Sequence, residues 1–359
     1  MANMEKMRKQ IRSIGASLDW SKEVVTCDPS YYHFTQWLFA RLFEHDLAYR
    51  NEAPVKWCPK DQTVLANEQV IDGKCERCGT EIVERRLTQW FMRITQYAEK
   101  LLAGLDELEW REDIKEAQRA WIGRSEGARI WFPLADREEK IEVFTTRPDT
   151  VFGATYVVLA PEHPLVEHLG TCFGNNKDVC AYRDEAARKT ERERSENKDK
   201  TGVRLEGIMA INPATKEEIP VYVADYVLAS YGTGAVMAVP AHDERDYAFA
   251  KKFDLPVKQV IETDEALPYT GNGKLMNSGK FDGDENFKAF SELIAFAGGE
   301  RTTNYRIRDW LVSRQRYWGC PIPVVYDPEG RAHLVPAEHL PWLLPEDVDF
   351  TPSGKPPLA

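Results

Sequence analysis

Apolar residues recur at helical spacing early in the chain. Phe34, Trp37, Leu38 and Leu42 fall on one stripe behind Asp28, a fair N-cap, and Pro29, a residue suited to a first helical turn. The spacing predicts a helix from about residue 28, and residues 1–57 as a whole read as helices with short connections. Between 58 and 86 the periodicity gives way to Cys58, Pro59, Asp61, Gly73, Cys75, Cys78 and Gly79, the composition of a small turn-rich knuckle. From Gln89 the helical period returns, with Ile94, Tyr97, Ala98, Leu101 and Leu102 on one face. A helix running on towards about Leu102 is expected there.

From about Glu126 the pattern turns to strand. Ile141, Val143 and Thr145 alternate with Glu142, Phe144 and Thr146, and the runs 154–160, 220–228 and 234–240 are rich in Val, Tyr and Ala. Between them, residues 183–200 carry seven basic and six acidic side chains, which reads as a solvated helix face with mixed ion pairs. Gly271–Gly273 and the pair Gly298, Gly299 mark loops. Near Tyr305 the composition changes again, and the last 30 or so residues are Pro-rich, an ending that suggests an incomplete chain.

Length and composition narrow the class. The 359 residues suffice for two or three domains, and 43% hydrophobic with 29% charged residues is ordinary globular usage. No apolar run reaches the roughly 20 residues of a membrane helix, and the N-terminus has no signal-peptide apolar core. A soluble, cytoplasmic chain without membrane partners is expected. A formal charge of −11 excludes a protein that coats nucleic acid through its total charge, so any such contact must be local. Seven Cys, two of them in a CxxC, fit a reducing compartment and a metal site better than a disulfide framework.

Three stretches carry chemistry. The first is Cys58-Pro-Lys-Asp61, then Cys75-Glu-Arg-Cys78-Gly79. Two such corners are how a zinc ribbon presents four ligands tetrahedrally, although Asp61 stands where a fourth Cys is usual. A Cys3Asp zinc site, a knuckle without metal and a redox CxxC are the three readings, and a zinc held here is structural because no position is left open for water. The second is Thr145-Thr146-Arg147-Pro148-Asp149-Thr150, three hydroxyls and a guanidinium at a strand end where Pro148 turns the chain. Such hydroxyls can hold a water or ribose oxygen and Arg can clamp a phosphate or carbonyl oxygen, but Thr is also a common strand residue. The third is the run from Tyr231 to Tyr247. Its Gly-Thr-Gly is too short for a dinucleotide fingerprint and reads as a tight turn. Asp243 and Asp246 stand three residues apart, so a helix beginning there puts both carboxylates on one face at its N-terminus, as caps or as acceptors of a substrate ammonium.

With these motifs in order, WCPKDQTVLANEQV (57–70), WIGRSEG (121–127), TTRPDT (145–150), GTGAVMAVPAHDERDY (232–247) and RDWLVSRQRYWG (308–319), the chain resembles bacterial-type leucyl-tRNA synthetases of class I nearly end to end. The resemblance implies an α/β architecture: an incomplete Rossmann-type catalytic domain at 1–57, a zinc-ribbon-like knuckle at 58–86, a return to the catalytic domain at 87–125, an inserted β-rich α/β editing domain at 126–305, and a further partial return at 306–359. The HIGH and KMSKS signatures that bind ATP in this family are not in the sequence. The expectation is therefore a fragment or one part of a split enzyme, whose missing parts are a candidate partner chain. The complete enzyme would carry out ATP-dependent leucylation of tRNA-Leu with leucine, ATP and Mg2+; this piece would supply hydrolytic editing of mischarged tRNA-Leu.

Discrimination is the reason for such a site. A pocket that accepts leucine rejects its near neighbours by only about 1–3 kcal/mol per methylene, so a second, hydrolytic sieve multiplies the selectivity. By family similarity Thr145, Thr146 and Arg147 line that site and place the tRNA terminus and water, Thr150 obstructs the leucine side chain, Asp246 with Asp243 beside it receives the aminoacyl ammonium, and Met237 and Tyr231 shape the pocket. No Ser/His/Asp triad is evident, and of two readings for His242, a base or a structural residue, the structural one is expected. Arg306, Arg308, Arg314 and Arg316 interleave with Trp310, Tyr317 and Trp318, a surface suited to a single-stranded tRNA end with Arg314 and Arg316 as its binding cations, or else a basic edge folded against the acidic remainder. The alternative function is a tRNA-binding remnant that no longer hydrolyses.

Overall fold

The computed structural model describes residues 2–348 except 66–68, 72, 170–173, 190–192, 195–196, 198, 230–231, 314–316 and 318. Chain contacts divide the protein into two units, Met1–Leu65 with Arg85–Arg93 and Asp309–Ala359, and Ala66–Glu84 with Ile94–Arg308. Both mix helices and strands, so the chain is α/β as expected.

In the first unit the helix Pro29–Glu44 forms where the spacing places it. Asp28 caps it by accepting the Ser30 N–H at 2.9 Å. Its buried stripe, however, is Tyr32, Gln36 and Phe39, while Phe34, Trp37 and Leu38 are exposed. The inward face is fixed by distant partners. Phe39 meets Trp90 edge to face at 5.2 Å, and the Gln36 amide bonds the carbonyls of Pro321 and Trp342 and the Trp342 N–H.

Two segments are strands where none was expected: the first lies in the stretch 1–57 read as helical, and the second runs from the end of the knuckle into the stretch from Gln89 read as helical. Ala48–Cys58 and Val83–Met92 lie in one sheet in the order Trp310–Leu311, Val83–Met92, Ala48–Cys58, Thr63–Leu65. Pro54 disfavours a helix interior, and the β-formers Tyr49, Val55, Trp57, Trp90 and Phe91 suit a pleated, half-buried surface. In the second unit the expected helix after Gln89 is correspondingly late. A 3-10 turn over Ile94–Tyr97 leads into Ala98–Asp106, with Tyr97 and Leu101 exposed.

The second unit is built on two further sheets. One runs in the order Ala235–Ala238, Tyr156–Leu159, Glu218–Ala224, Gly202–Ile211, its middle pair parallel and the outer pairings antiparallel. The other runs Glu300–Tyr305, Arg124–Pro133, Lys140–Thr145, all antiparallel. Tyr156–Leu159 is buried on both faces, which is why it reads as a continuous apolar run rather than an alternation. Val157 and Leu159 enter the larger core with Ile130, Phe132, Ile141 and Val143. Tyr156 and Val158 enter a second core with Tyr222, Tyr226 and Phe249. Phe249 belongs to the helix Glu244–Lys252, so this second core seats that helix on the sheet.

The charged run departs from a wholly solvated face at Arg194. Its guanidinium is buried, 2.6 Å from Glu162 and within 2.8 Å of the carbonyls of Asp225 and Val227. Gly123 closes the helix Glu112–Ile122 at φ 60°, a conformation that favours glycine. The carbonyls of Ile122 and Gly123 accept the N–H groups of Arg306 and Ile307, and a Cβ on Gly123 would stand 2.5 Å from that of Arg306. Among the described residues no helix is long and apolar enough to cross a membrane.

Candidate functional site

The strand Lys140–Thr145 delivers the hydroxyl-rich turn, and Pro148 opens a 3-10 turn over Pro148–Gly153. Gly127 on the neighbouring strand makes room for it, since a Cβ there would lie 2.2 Å from the Thr145 carbonyl oxygen. Within the turn, the Thr145 hydroxyl accepts the Arg147 N–H at 3.0 Å, and the buried Thr150 hydroxyl donates to the Arg147 carbonyl at 2.8 Å. Thr146 is exposed. The Arg147 guanidinium forks onto the fully buried Asp149, with Nη2 2.8 Å and Nε 3.0 Å from its two oxygens. Its Nη1 donates to the Thr270 carbonyl at 2.8 Å. Asp149 also accepts from Asn286 Nδ2 at 2.7 Å.

The helix Glu244–Lys252 starts as expected. Asp243 is its N-cap, with Oδ1 accepting the N–H groups of Arg245 and Asp246 at 2.8 and 3.1 Å. Burial acts to raise the Asp243 carboxyl, but the Arg245 guanidinium at 3.1 Å and these N–H groups outweigh it and hold the carboxyl below its ordinary range. Asp246, one turn on, is 5% exposed. Its Oδ1 accepts from the Tyr226 hydroxyl at 3.1 Å and its Oδ2 from the Val239 N–H at 2.8 Å. Burial, and after it the charge of Asp243, push the Asp246 carboxyl up to about 7.

His242 is structural. Its Nε2 can only accept the Val260 N–H, 3.0 Å away, which makes Nδ1 the donor to the Tyr269 carbonyl at 2.9 Å. Burial holds the imidazole below its usual range, in keeping with a neutral ring.

One loop ties the two motifs together. The Tyr269 N–H donates to the Ala241 carbonyl at 2.8 Å, and the Tyr269 carbonyl receives His242. The next carbonyl, that of Thr270, receives Arg147. The TTRPDT turn and the segment before the helix thus hang on consecutive peptide groups. Met237 sits between them in sequence and is buried in the larger core, paired with Val157. Tyr231, Arg314 and Arg316 lie outside the described residues.

Sequence patterns gave no sign of Asn286 or Tyr226, and marked Gly271–Gly273 only as a loop, with no hint of what its neighbours Tyr269 and Thr270 bind. Asn286 and Asp149 are 137 residues apart, and neither stands in a spacing that signals a contact. Tyr226 follows a strand of apolar residues and reads as core. Only the Asp149-Arg147 pair, two residues apart, was within reach of local reasoning.

The knuckle residues come together. One ligand atom from each of Cys58, Asp61, Cys75 and Cys78 lies within 4.8 Å of all the others, so the four could hold a metal ion. The Asp61 N–H points at Cys58 Sγ from 3.3 Å and the Gly79 N–H closes the second corner on the Cys75 carbonyl at 2.9 Å, the backbone turns that a thiolate cluster needs. Three sulfurs and a carboxylate are a donor set that suits zinc.

Comparison with known proteins identifies the family of the chain. Residues 119–297 match the family described as "Leucyl-tRNA synthetase, editing domain", and residues 1–125 match "tRNA synthetases class I (I, L, M and V)". The leucine–tRNA ligase of Clostridium tetani is 52% identical over 364 residues, covering 100% of this chain and 45% of the relative. That of Clostridium perfringens is 53% identical over 366 residues, covering 99% and 45%. Among solved structures, the ternary complex agnB2 LeuRS-tRNA-LeuAMS of Agrobacterium radiobacter K84 superposes with a TM-score of 0.75 at 38% identity, over 98% of this chain and 42% of that one. The chain spans about 45% of the length of the curated relatives it matches. Two family matches that overlap at residues 119–125, and relatives aligned along its whole length, agree that the chain belongs to the class I leucyl-tRNA synthetase family.

Proposed function

We propose that this chain is the part of a leucine–tRNA ligase that hydrolyses mischarged tRNA-Leu. The observation that carries the reading is the convergence of the Arg147 turn and the Asp246 helix start on the carbonyls of residues 269 and 270, inside the span that matches an editing domain. In the reaction water adds to the carbonyl carbon of the aminoacyl ester, the ribose oxygen leaves with a proton, and the free amino acid departs. Asp246 receives the aminoacyl ammonium: each of its oxygens has one donor and a lone pair to spare, and a carboxyl pushed up by burial is one that gains from a cation. Asp243 fixes the helix start beside it. Thr145, Thr146 and Arg147 line the approach of the tRNA terminus and water, Met237 and Tyr231 shape the pocket, and Arg314 and Arg316 contribute to holding the tRNA end. In the longer relatives' named activity, this part contributes to leucylation of tRNA-Leu with ATP and Mg2+. Cys58, Asp61, Cys75 and Cys78 hold a structural zinc ion: metal analysis is expected to find about one equivalent, and Cys75→Ser to remove it while leaving hydrolysis in place.

The test is ester loss from isoleucyl-tRNA(Leu) and leucyl-tRNA(Leu). The chain cleaves the first and spares the second, because the Thr150 side chain occupies the space leucine needs. Thr150→Ala opens it, and leucyl-tRNA cleavage rises roughly 10- to 200-fold, the range of one methylene-sized contact. Isoleucyl-tRNA cleavage with no gain on leucyl-tRNA removes Thr150 from the sieve. Binding of tRNA with no ester loss at all identifies a remnant.

A further inference from the structure

Tyr226 stands just past the strand Glu218–Ala224, 6% exposed, with its ring 5.7 Å from that of Phe249. Its hydroxyl and the Val239 N–H reach different oxygens of Asp246, so the carboxylate is pinned at both ends and cannot turn about its last torsion. A second hydroxyl does a separate task. Tyr156 donates to the Asp246 backbone carbonyl at 2.9 Å and holds the first helical turn rather than the carboxylate.

We propose that Tyr226 is a positioning residue for Asp246, its hydroxyl fixing the carboxylate in the orientation and the anionic form that an ammonium requires. The inference rests on Asp246 as the ammonium acceptor and names what makes it one. Burial and Asp243 act to protonate Asp246 close to neutral pH, and the Val239 N–H, the nearby charge of Arg245 and the Tyr226 hydroxyl oppose them. The charged and titratable groups around it are Asp243 at the cap, Arg245 engaged with Asp243, the two tyrosines, and Lys200, whose Nζ lies 5.8 Å from the Tyr226 ring centre. Among the described residues none of the cations forms an ion pair with Asp246. Of the two donors on the anion, only the Tyr226 hydroxyl can be deleted without touching the main chain.

The experiment is a pH profile of kcat/KM for isoleucyl-tRNA(Leu) hydrolysis by the full chain, from about pH 5 to about pH 9. Activity rises as Asp246 loses its proton. Tyr226→Phe removes a donor from the anion and moves that acid limb up by about one pH unit, with the plateau above it kept. The ionisation of the substrate's own amine is common to both proteins and cancels. A loss equal at every pH, with the limb in place, overturns the proposal, because a residue that only packs lowers activity without moving a titration. The 13C resonance of the Asp246 carboxyl, assigned with Asp246→Asn, gives a reading without substrate: its midpoint rises in Tyr226→Phe and stays in Tyr156→Phe. An unmoved midpoint in Tyr226→Phe overturns the proposal even where hydrolysis is normal. If the parent chain hydrolyses nothing, the editing function fails while the carboxyl titration still decides the role of Tyr226. Should Tyr226→Phe not fold, 3-fluorotyrosine at position 226 keeps the ring and strengthens the donor, and the midpoint then falls; an unchanged midpoint there overturns the proposal as well.

Discussion

Asp149 and Asp246 are two buried carboxylates in one folding unit, treated in opposite ways. Asp149 is wholly enclosed and takes the fork of Arg147 together with an amide N–H of Asn286. Asp246, 5% exposed, has a hydroxyl and a main-chain N–H but no cation in contact among the described residues. Burying a carboxylate is expensive unless charge and hydrogen bonds answer it. At Asp149 the fold supplies both in direct contact; at Asp246 it supplies hydrogen bonds and only the indirect charge of Arg245, which is paired with Asp243, and the carboxyl rises to about 7. The difference separates a carboxylate that holds a turn together from one with capacity left for a charged ligand.

Substitution at Asp149 has the larger effect on the fold. Asp149→Ala strands the Arg147 guanidinium, which is 28% exposed, and releases Asn286, so urea unfolding registers a loss of about 3 kcal/mol, the low end for a broken buried pair because Arg147 keeps some water. A loss under about 0.5 kcal/mol would show that the pair is ornamental and that the two carboxylates do not differ as described.

At Asp246 the signs reverse. Asp246→Ala lowers kcat/KM for every aminoacyl-tRNA by roughly 10- to 150-fold, the loss of one charge-assisted hydrogen bond to the common ammonium. Stability changes the other way with pH. Because the folded carboxyl titrates near 7 and an unfolded one near 3.8, the folded state binds more protons between those values, so this group's favourable contribution is full below about pH 4 and declines as pH rises through 7. The decline amounts to at most about 1.4 kcal/mol per pH unit. Asp246→Asn, which keeps an acceptor for the Val239 N–H, flattens it, and its stability relative to the parent improves from acid to neutral pH. Parallel stability curves for the two proteins would place the Asp246 titration elsewhere.

Local chemistry was legible; distance was not. Pro148 ending a strand and Asp243 capping a helix are decisions made within a few residues, and both formed as the sequence implied. The helix Pro29–Glu44 was legible as a helix but its inward stripe was not, because Gln36 is buried by main-chain groups about 300 residues away. Apolar spacing identifies a periodic element without saying which side meets a partner. The strands Ala48–Cys58 and Val83–Met92 were hidden for a related reason, since each is fixed by pairing with strands elsewhere in the chain, which local spacing does not signal. In the site, the motif residues stood out, whereas Tyr226 and Asn286 acquire meaning only through what the fold brings against them.

The contact at Gly123 bears on how such a chain could have been assembled. Because the carbonyls of Ile122 and Gly123 receive the N–H groups of Arg306 and Ile307, the two ends of the segment 124–305 lie side by side at a shared doorway. The entropy of closing so long an excursion is already met by main-chain hydrogen bonds at its neck, and it grows only slowly with the length enclosed. Lengthening, shortening or exchanging what lies beyond the doorway therefore places little demand on the residues that frame it. What does bear the demand is residue 123, where a side chain would block the passage: it has to be glycine, both for its φ of 60° and for the Arg306 backbone and Cβ pressed against it.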